Sequence, residues 1–206
     1  VNTYELLGYN DPYFHLQNAV PASDLAQVHN VVTGKNVRVG VVDTGVDYNH
    51  EDLADIMWVN TNEIAGNGID DDNNGYIDDV HGINTLIRDS NGDAIGDPMA
   101  SHGHGTHVSG TIAATQNNGV GIAGIASNVK IMAIRTVPDA ADETDVDIIE
   151  SFIYAGKHGA KIINCSFDSF LDDSGLTKLI FLKYFLYSFF KSSNSLPKNT
   201  LHIKLP

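Results

Sequence analysis

Two short stretches of this 206-residue chain carry side chains able to move a proton. Val41-Val-Asp-Thr-Gly-Val-Asp47 places Asp43 at the end of an apolar run, and His102-Gly-His-Gly-Thr-His-Val-Ser-Gly-Thr-Ile-Ala113 opens a glycine-rich segment on three histidines. A carboxylate that meets an imidazole fixes the ring's tautomer and stabilises the imidazolium once it has taken a proton, which is what nucleophilic catalysis needs. Met singly, an Asp at a strand end is usually a turn residue and a lone His is usually structural. A zinc site is open to the same residues, because His102-x-His-x-x-His107 with Asp43 has suitable ligand types. The Gly-Thr after His104 and the helical position of His107 weigh against it. A third stretch, Asp70-Asp-Asp-Asn-Asn-Gly-Tyr-Ile-Asp-Asp79, follows the front half of an EF-hand-like calcium loop. Asp70, Asp72 and Asn74 alternate side-chain oxygens, Gly75 makes the turn and the Tyr76 carbonyl is available. The closing bidentate Glu is replaced by His81, a role that Asp78 or Asp79 could fill. The competing reading is a solvated acidic loop.

These residues need elements to hold them. Residues 37–42, 129–137 and 161–165 are short β-branched apolar runs bounded by turn residues, and read as buried strands. Between them, residues 105–115 are rich in small side chains, which suits close packing of a helix on a sheet. Residues 145–158 place Val146, Ile149, Phe152 and Ile153 on one helical face behind the capping-box pattern Thr144-x-x-Asp147. Strand, helix, strand, helix, strand implies an α/β fold, a parallel β-sheet flanked by helices. Sites in such sheets form at the carboxyl ends of the strands, where Asp43 sits. Residues 60–98, rich in Gly, Asn and Asp, read as an acidic loop insertion.

The chain carries 12 Lys and Arg against 26 Asp and Glu, a net charge of −14, which excludes nucleic acid as the expected partner. One Cys excludes an internal disulfide framework and a multi-thiolate metal site. The apolar stretch 176–190 contains Lys178 and Lys183 and is too short for a membrane span. The sequence opens on Val rather than Met and contains no basic-plus-apolar leader, so a leader or pro-segment upstream of Val1 is the expectation. The average charge conceals two parts: residues 1–170 carry −17, whereas residues 171–206 carry +3, with six of the aromatics and only Gly175 among the glycines.

The Asp and His motifs together resemble those of the subtilisin-like serine peptidases, the subtilases. Asp43 falls on the family's Asp-Thr-Gly-[Val/Ile]-Asp motif and His104 on the first His of His-Gly-Thr-His-Val-x-Gly-Thr-[Ile/Val]-Ala. Asn10-Asp-Pro-Tyr13, Thr33-Gly34, His50-x-Asp-Leu53, residues 119–126 and Ile162-Ile-Asn-x-Ser166 extend the similarity across residues 10–166 in family order. The resemblance implies a subtilisin-like sheet, incomplete here, with His104 as general base, Asp43 as its orienter and His107 as a structural histidine. Ser166 would lie on the strand against which an extended peptide substrate adds. It further implies structural Ca2+, with a second site from Asp52, Asn118 and the carbonyls of Val120 and Ile122. Secretion or a secretory-compartment lumen, and a pro-segment inhibitor as partner, are implied in the same way.

The resemblance stops after Ser166, where Phe167-Asp-Ser-Phe170 replaces a glycine-rich segment. Ser169, Ser174, Ser188, Ser192, Ser193 and Ser195 all lack the Gly-Thr-Ser-Met-Ala context in which the family places its nucleophile. The expectation is residues 1–166 as the N-terminal part of a subtilase catalytic domain, followed by a non-family tail over 167–206 that reads as misread coding sequence. Without the nucleophile and the oxyanion Asn, the chain as written is expected to be inactive. The other expectation is a non-catalytic calcium-binding pseudoenzyme or fragment.

Overall fold

A computed structural model describes residues 8–17 and 22–166 and the backbone of 202–203; the tail expectations for the other residues of 167–206 lie outside the described residues. Six strands form one sheet: β1 (Arg38–Asp43), β2 (Gly82–Arg88), β3 (Ala94–Ile95), β4 (Lys130–Arg135), β5 (Ile162–Cys165) and β6 (His202–Ile203). Their spatial order is β3-β2-β4-β1-β5-β6, and every pairing is parallel except β2 with β3. The helices are α1 (Ala22–His29), α2 (His104–Ala113) and α3 (Asp145–Lys157). The expected α/β parallel sheet is the fold.

β1 is central because its side chains have apolar partners on both faces. Val39 and Val41 join the core that includes Ala113 of α2, while Val42 joins the opposite core with Tyr154 and Ala155 of α3. Val41 and Val42 are fully buried, each worth roughly 1.5–3 kcal/mol of transfer free energy. α2 approaches closely because the side chains on its inner face, Gly105, Ser109, Gly110 and Ala113, are small. With β4 and β5 flanking β1 in the same direction, three carboxyl ends open on one edge of the sheet. Among the described residues no helix is long and apolar enough to cross a membrane.

Two expectations are corrected. Residues 60–98 are not one loop, since β2 and β3 lie within them and β2 runs beside β4. β2 was concealed by buried polar residues: Asn84 accepts from Leu86 N (3.1 Å), and the Thr85 hydroxyl reaches the Arg135 carbonyl (3.2 Å). Backbone ladder and side-chain bonds make these residues tolerable inside, but they erase the apolar alternation. On α3 the buried face is Ser151, Tyr154 and Ala155, whereas Val146 and Ile153 are exposed. Polar partners turn the helix: Tyr154 Oη donates to buried Asp79 (2.6 Å), and Ser151 Oγ bonds Thr136 Oγ1 (2.5 Å). The Thr144 cap is present, with its hydroxyl accepting from Asp147 N (3.2 Å).

Candidate active site

Asp43 ends β1 and His104 begins α2, and the fold joins them. His104 Nδ1 lies 2.7 Å from Asp43 Oδ1; the carboxylate side chain is 1% exposed and the imidazole 44%. Asp43 Oδ1 also accepts from Thr44 N at 2.7 Å, and the Asp43 carbonyl accepts from Thr136 N and Val137 N just beyond β4. The motif's small residues explain how helix and strand come so near. A Cβ on Gly105 would stand 2.1 Å from the Gly45 carbonyl oxygen and 3.1 Å from Asp43 Oδ1. Gly45, at φ +91°, takes a left-handed conformation that permits the turn after β1. Threonines stitch the junction: Gly105 N donates to Thr44 Oγ1 (3.0 Å) and Asp47 N to Thr106 Oγ1 (2.9 Å).

The pair opens on a cleft of about 240 Å³ lined by Asp43, Thr44, His102, His104, Val137, Pro138, Asp139 and Ser166. Ser166 therefore reaches the cleft from the end of β5, and its hydroxyl accepts from Asn164 Nδ2 (2.9 Å). Cys165 beside it does not supply an alternative nucleophile. Burial, then the neighbouring charges of Asp43 and Glu143, push its thiol up to about 12, and a reactive cysteine needs a thiolate. His107, which the resemblance implies is structural, is exposed on α2. His102, His104, His107 and Asp43 do not converge as zinc ligands would: among the described residues the one group of three such side chains with ligand atoms within 4.8 Å is Glu63, Asp72 and Asp79.

That group lies in the acidic segment. Asp70 Oδ1 and Oδ2 accept from Asn74 N and Gly75 N, Asp72 Oδ1 from Asn74 N, and Asn74 Oδ1 from Tyr76 N, all within 3.1 Å. The alternation expected of a calcium loop thus shapes the turn, with Gly75 at φ +99°. Asp79 is fully buried and accepts from Asn60 and Asn74 amides and the Tyr154 hydroxyl. Burial holds the carboxyls of Asp79 and Glu63 above the ordinary carboxylate range, against the opposing pull of those hydrogen bonds. Of the two candidate closing residues, Asp79 faces the cluster, whereas Asp78 turns away to accept from Asn67 N and Gly68 N. Asp70 is outside the group of three. Glu63, which sequence reasoning missed, gathers the backbone N–H groups of Asp71, Asp72 and Asp78. Its signal was slight, a single acid ahead of the Asp run.

The description of the Subtilase family matches residues 34–198, well over half of the chain. The chain belongs to the subtilase family. Subtilisin-like protease 1 of Plasmodium berghei is 36% identical over 170 residues, covering 81% of this chain and 27% of that protein. Thermitase of Thermoactinomyces vulgaris is 31% identical over 172 residues, covering 83% of this chain and 52% of its own. A solved protease from Pseudoalteromonas arctica superimposes with a TM-score of 0.57 at 25% identity, covering 83% of this chain and 54% of that one. The subtilase chain thus spans about a quarter to a half of the length of these relatives. The relatives it matches in that family are subtilisin-like serine proteases.

The residues that the resemblance implied for a second site are also drawn together in this subtilase. Asp52 Oδ1 accepts from Asn118 Nδ2 (2.9 Å) and Oδ2 from Ile122 N (3.0 Å), while Asn118 Oδ1 accepts from Val120 N (2.9 Å). Asp11, quoted within Asn10-Asp-Pro-Tyr13 but given no role by the sequence, accepts from Asn117 N and Asn118 N and ties the start of the described chain to the same loop.

Proposed function

We propose that this chain carries the base-and-orienter half of a serine endopeptidase site that hydrolyses peptide bonds of proteins through an acyl-enzyme. The observation that supports it is the 2.7 Å contact between buried Asp43 and half-exposed His104 at the edge of an open cleft. With Nδ1–H donated to Asp43, the Nε2 lone pair is left to take the proton of a serine hydroxyl and later return it to the leaving amine. Asp43 orients the ring and stabilises the imidazolium. Ser166 would flank the substrate backbone at the end of β5, where an extended peptide can add alongside the sheet. No serine of residues 167–206 lies in the Gly-Thr-Ser-Met-Ala context of the family's nucleophile, so the 206-residue chain on its own is proposed to be inactive.

Structural calcium is part of the same proposal. Glu63, Asp72 and Asp79 offer an all-oxygen set whose mutual repulsion a hard cation would relieve, with Asp70, Asn74 and the Tyr76 carbonyl shaping the surrounding turn. Asp52, Asn118, Val120 and Ile122 would hold a second ion. Calcium there would supply charge neutralisation and rigidity, not chemistry. Calcium use and the family support a place in a secretory compartment or outside the cell, with a pro-segment as an inhibitory partner.

A fluorophosphonate probe tests the reading, because it labels only an activated serine. The full-length gene product is expected to label and its His104→Ala variant not to, while the 206-residue chain stays unlabelled. A full-length product that never labels would leave the non-catalytic calcium-binding protein as the better reading. That alternative draws on the acidic segment, whose hydrogen-bonded shell is complete without the catalytic pair.

A further inference from the structure

The geometry points to Asp139 as a specificity-determining residue that selects a cationic side chain, Arg or Lys, in the peptide bound beside His104. The inference rests on the cleft being the peptide cleft of a serine endopeptidase. Among the described residues lining the cleft, Asp43 and Asp139 are the charged ones and none is Lys or Arg. Asp43 is buried and turned onto His104, whereas the Asp139 side chain is 45% exposed. Asp139 is therefore the carboxylate that a substrate side chain can reach.

The Asp139 carboxylate is also held in place. The Ser101 hydroxyl stands 2.7 and 2.6 Å from its two oxygens, and one O–H leaves most of the roughly four acceptor positions of a carboxylate open. Arg135 is the nearby cation, but its guanidinium is engaged by the Met99 carbonyl (3.1 Å) and Ser101 Oγ (2.6 Å). Its Nη2 remains 3.9 Å from Asp139 Oδ2, beyond hydrogen-bond range, so the carboxylate is not forked by its neighbour. Beyond Asp139 the chain adds Asp142, Glu143 and Asp145, and no Lys or Arg occurs from residue 136 to 156; Asp147 is already paired with Arg88 at 2.5 Å. The local field favours a cation and rejects an acidic side chain by like-charge repulsion. Arg should exceed Lys, because a planar fork matches an oriented carboxylate better than a point charge.

The test uses an eight-residue fluorescent peptide series in which Arg, Lys, Gln or Glu is walked through each position. Binding to the 206-residue chain is read by anisotropy at low and high salt. At one position the expected order is Arg, Lys, Gln, Glu, with Arg roughly two- to fivefold tighter than Gln, the range of a partly exposed ion pair. Asp139→Asn should bring Arg and Gln to parity, Asp139→Glu should keep part of the preference, and high salt should shrink it. Equal affinities, or a preference that survives Asp139→Asn, overturn the role of Asp139. Failure of every peptide to bind overturns the peptide-cleft reading itself, and this inference with it.

Discussion

The junction of β1 with α2 and the acidic segment from Asn60 to His81 use the same raw material, carboxylates beside backbone N–H groups, to opposite ends. At the junction, residues 61 positions apart meet through one short bond, and the imidazole keeps nearly half of its surface open. In the acidic segment most bonds close within twenty residues, and Asp79 is sealed under Tyr154 with both oxygens hydrogen-bonded. A carboxylate with several fixed donors shapes the chain, whereas a carboxylate that spends one oxygen on an imidazole confers reactivity on it. Asp43 Oδ2, buried and without a protein partner, marks the contrast. It is a charge held for its neighbour rather than for the fold.

The largest test of this contrast is His104→Ala in the full-length product. Turnover should fall on the order of a million-fold, the loss known for removing the equivalent base from subtilisin, while the calcium dependence of the melting temperature stays as it was. A shift in that dependence would show that the two regions are coupled. Gly105→Ala attacks the junction sterically, since the new methyl would lie 2.1 Å from the Gly45 carbonyl. It should cost about 3 kcal/mol in denaturant unfolding and abolish the downfield NMR resonance of the Nδ1 proton shared with Asp43. Tyr154→Phe attacks the other region by removing a 2.6 Å donor to Asp79. A loss of about 1–2 kcal/mol is expected, greater in chelator than in calcium; equal losses would argue against an ion near Asp79.

The smallest effect concerns Cys165. Its thiol is raised to about 12 in the folded chain from an ordinary 9.0, so the folded state holds the proton more tightly than the unfolded one. The associated stability is fully present below pH 9 and is lost as pH rises toward 12. Wild type should therefore lose stability relative to Cys165→Ala only in that alkaline range. Iodoacetamide at pH 9 should modify the folded thiol at least about a hundredfold more slowly than an exposed one.

The junction was readable in advance because its residue types are dictated by contact at sub-van der Waals tolerance. Gly105 and Gly45 admit no side chain, and Thr44 and Thr106 each bond a backbone N–H across the join. β2 was not readable, because buried Asn84 and Thr85, bonded to Leu86 N and to the Arg135 carbonyl, break the pattern of apolar alternation. The inner face of α3 was misplaced for a related reason. Tyr154 and Ser151 point inward only because Asp79 and Thr136 are there to receive them.

Sequence alone therefore determined the strand that ends on Asp43, the helix that begins at His104, the parallel α/β class and the acidic turn around Gly75. Each follows from local periodicity, glycine placement or short-range capping, which act within one element. Tertiary structure decided that Glu63 rather than Asp70 stands with Asp72 and Asp79, that Asp11 closes the loop at Asn118, and that Asp139 lines the cleft beside His104. Those outcomes depend on which distant groups compete for the same donors and acceptors. That competition is resolved only when the sheet brings β1, β4 and β5 to a common edge.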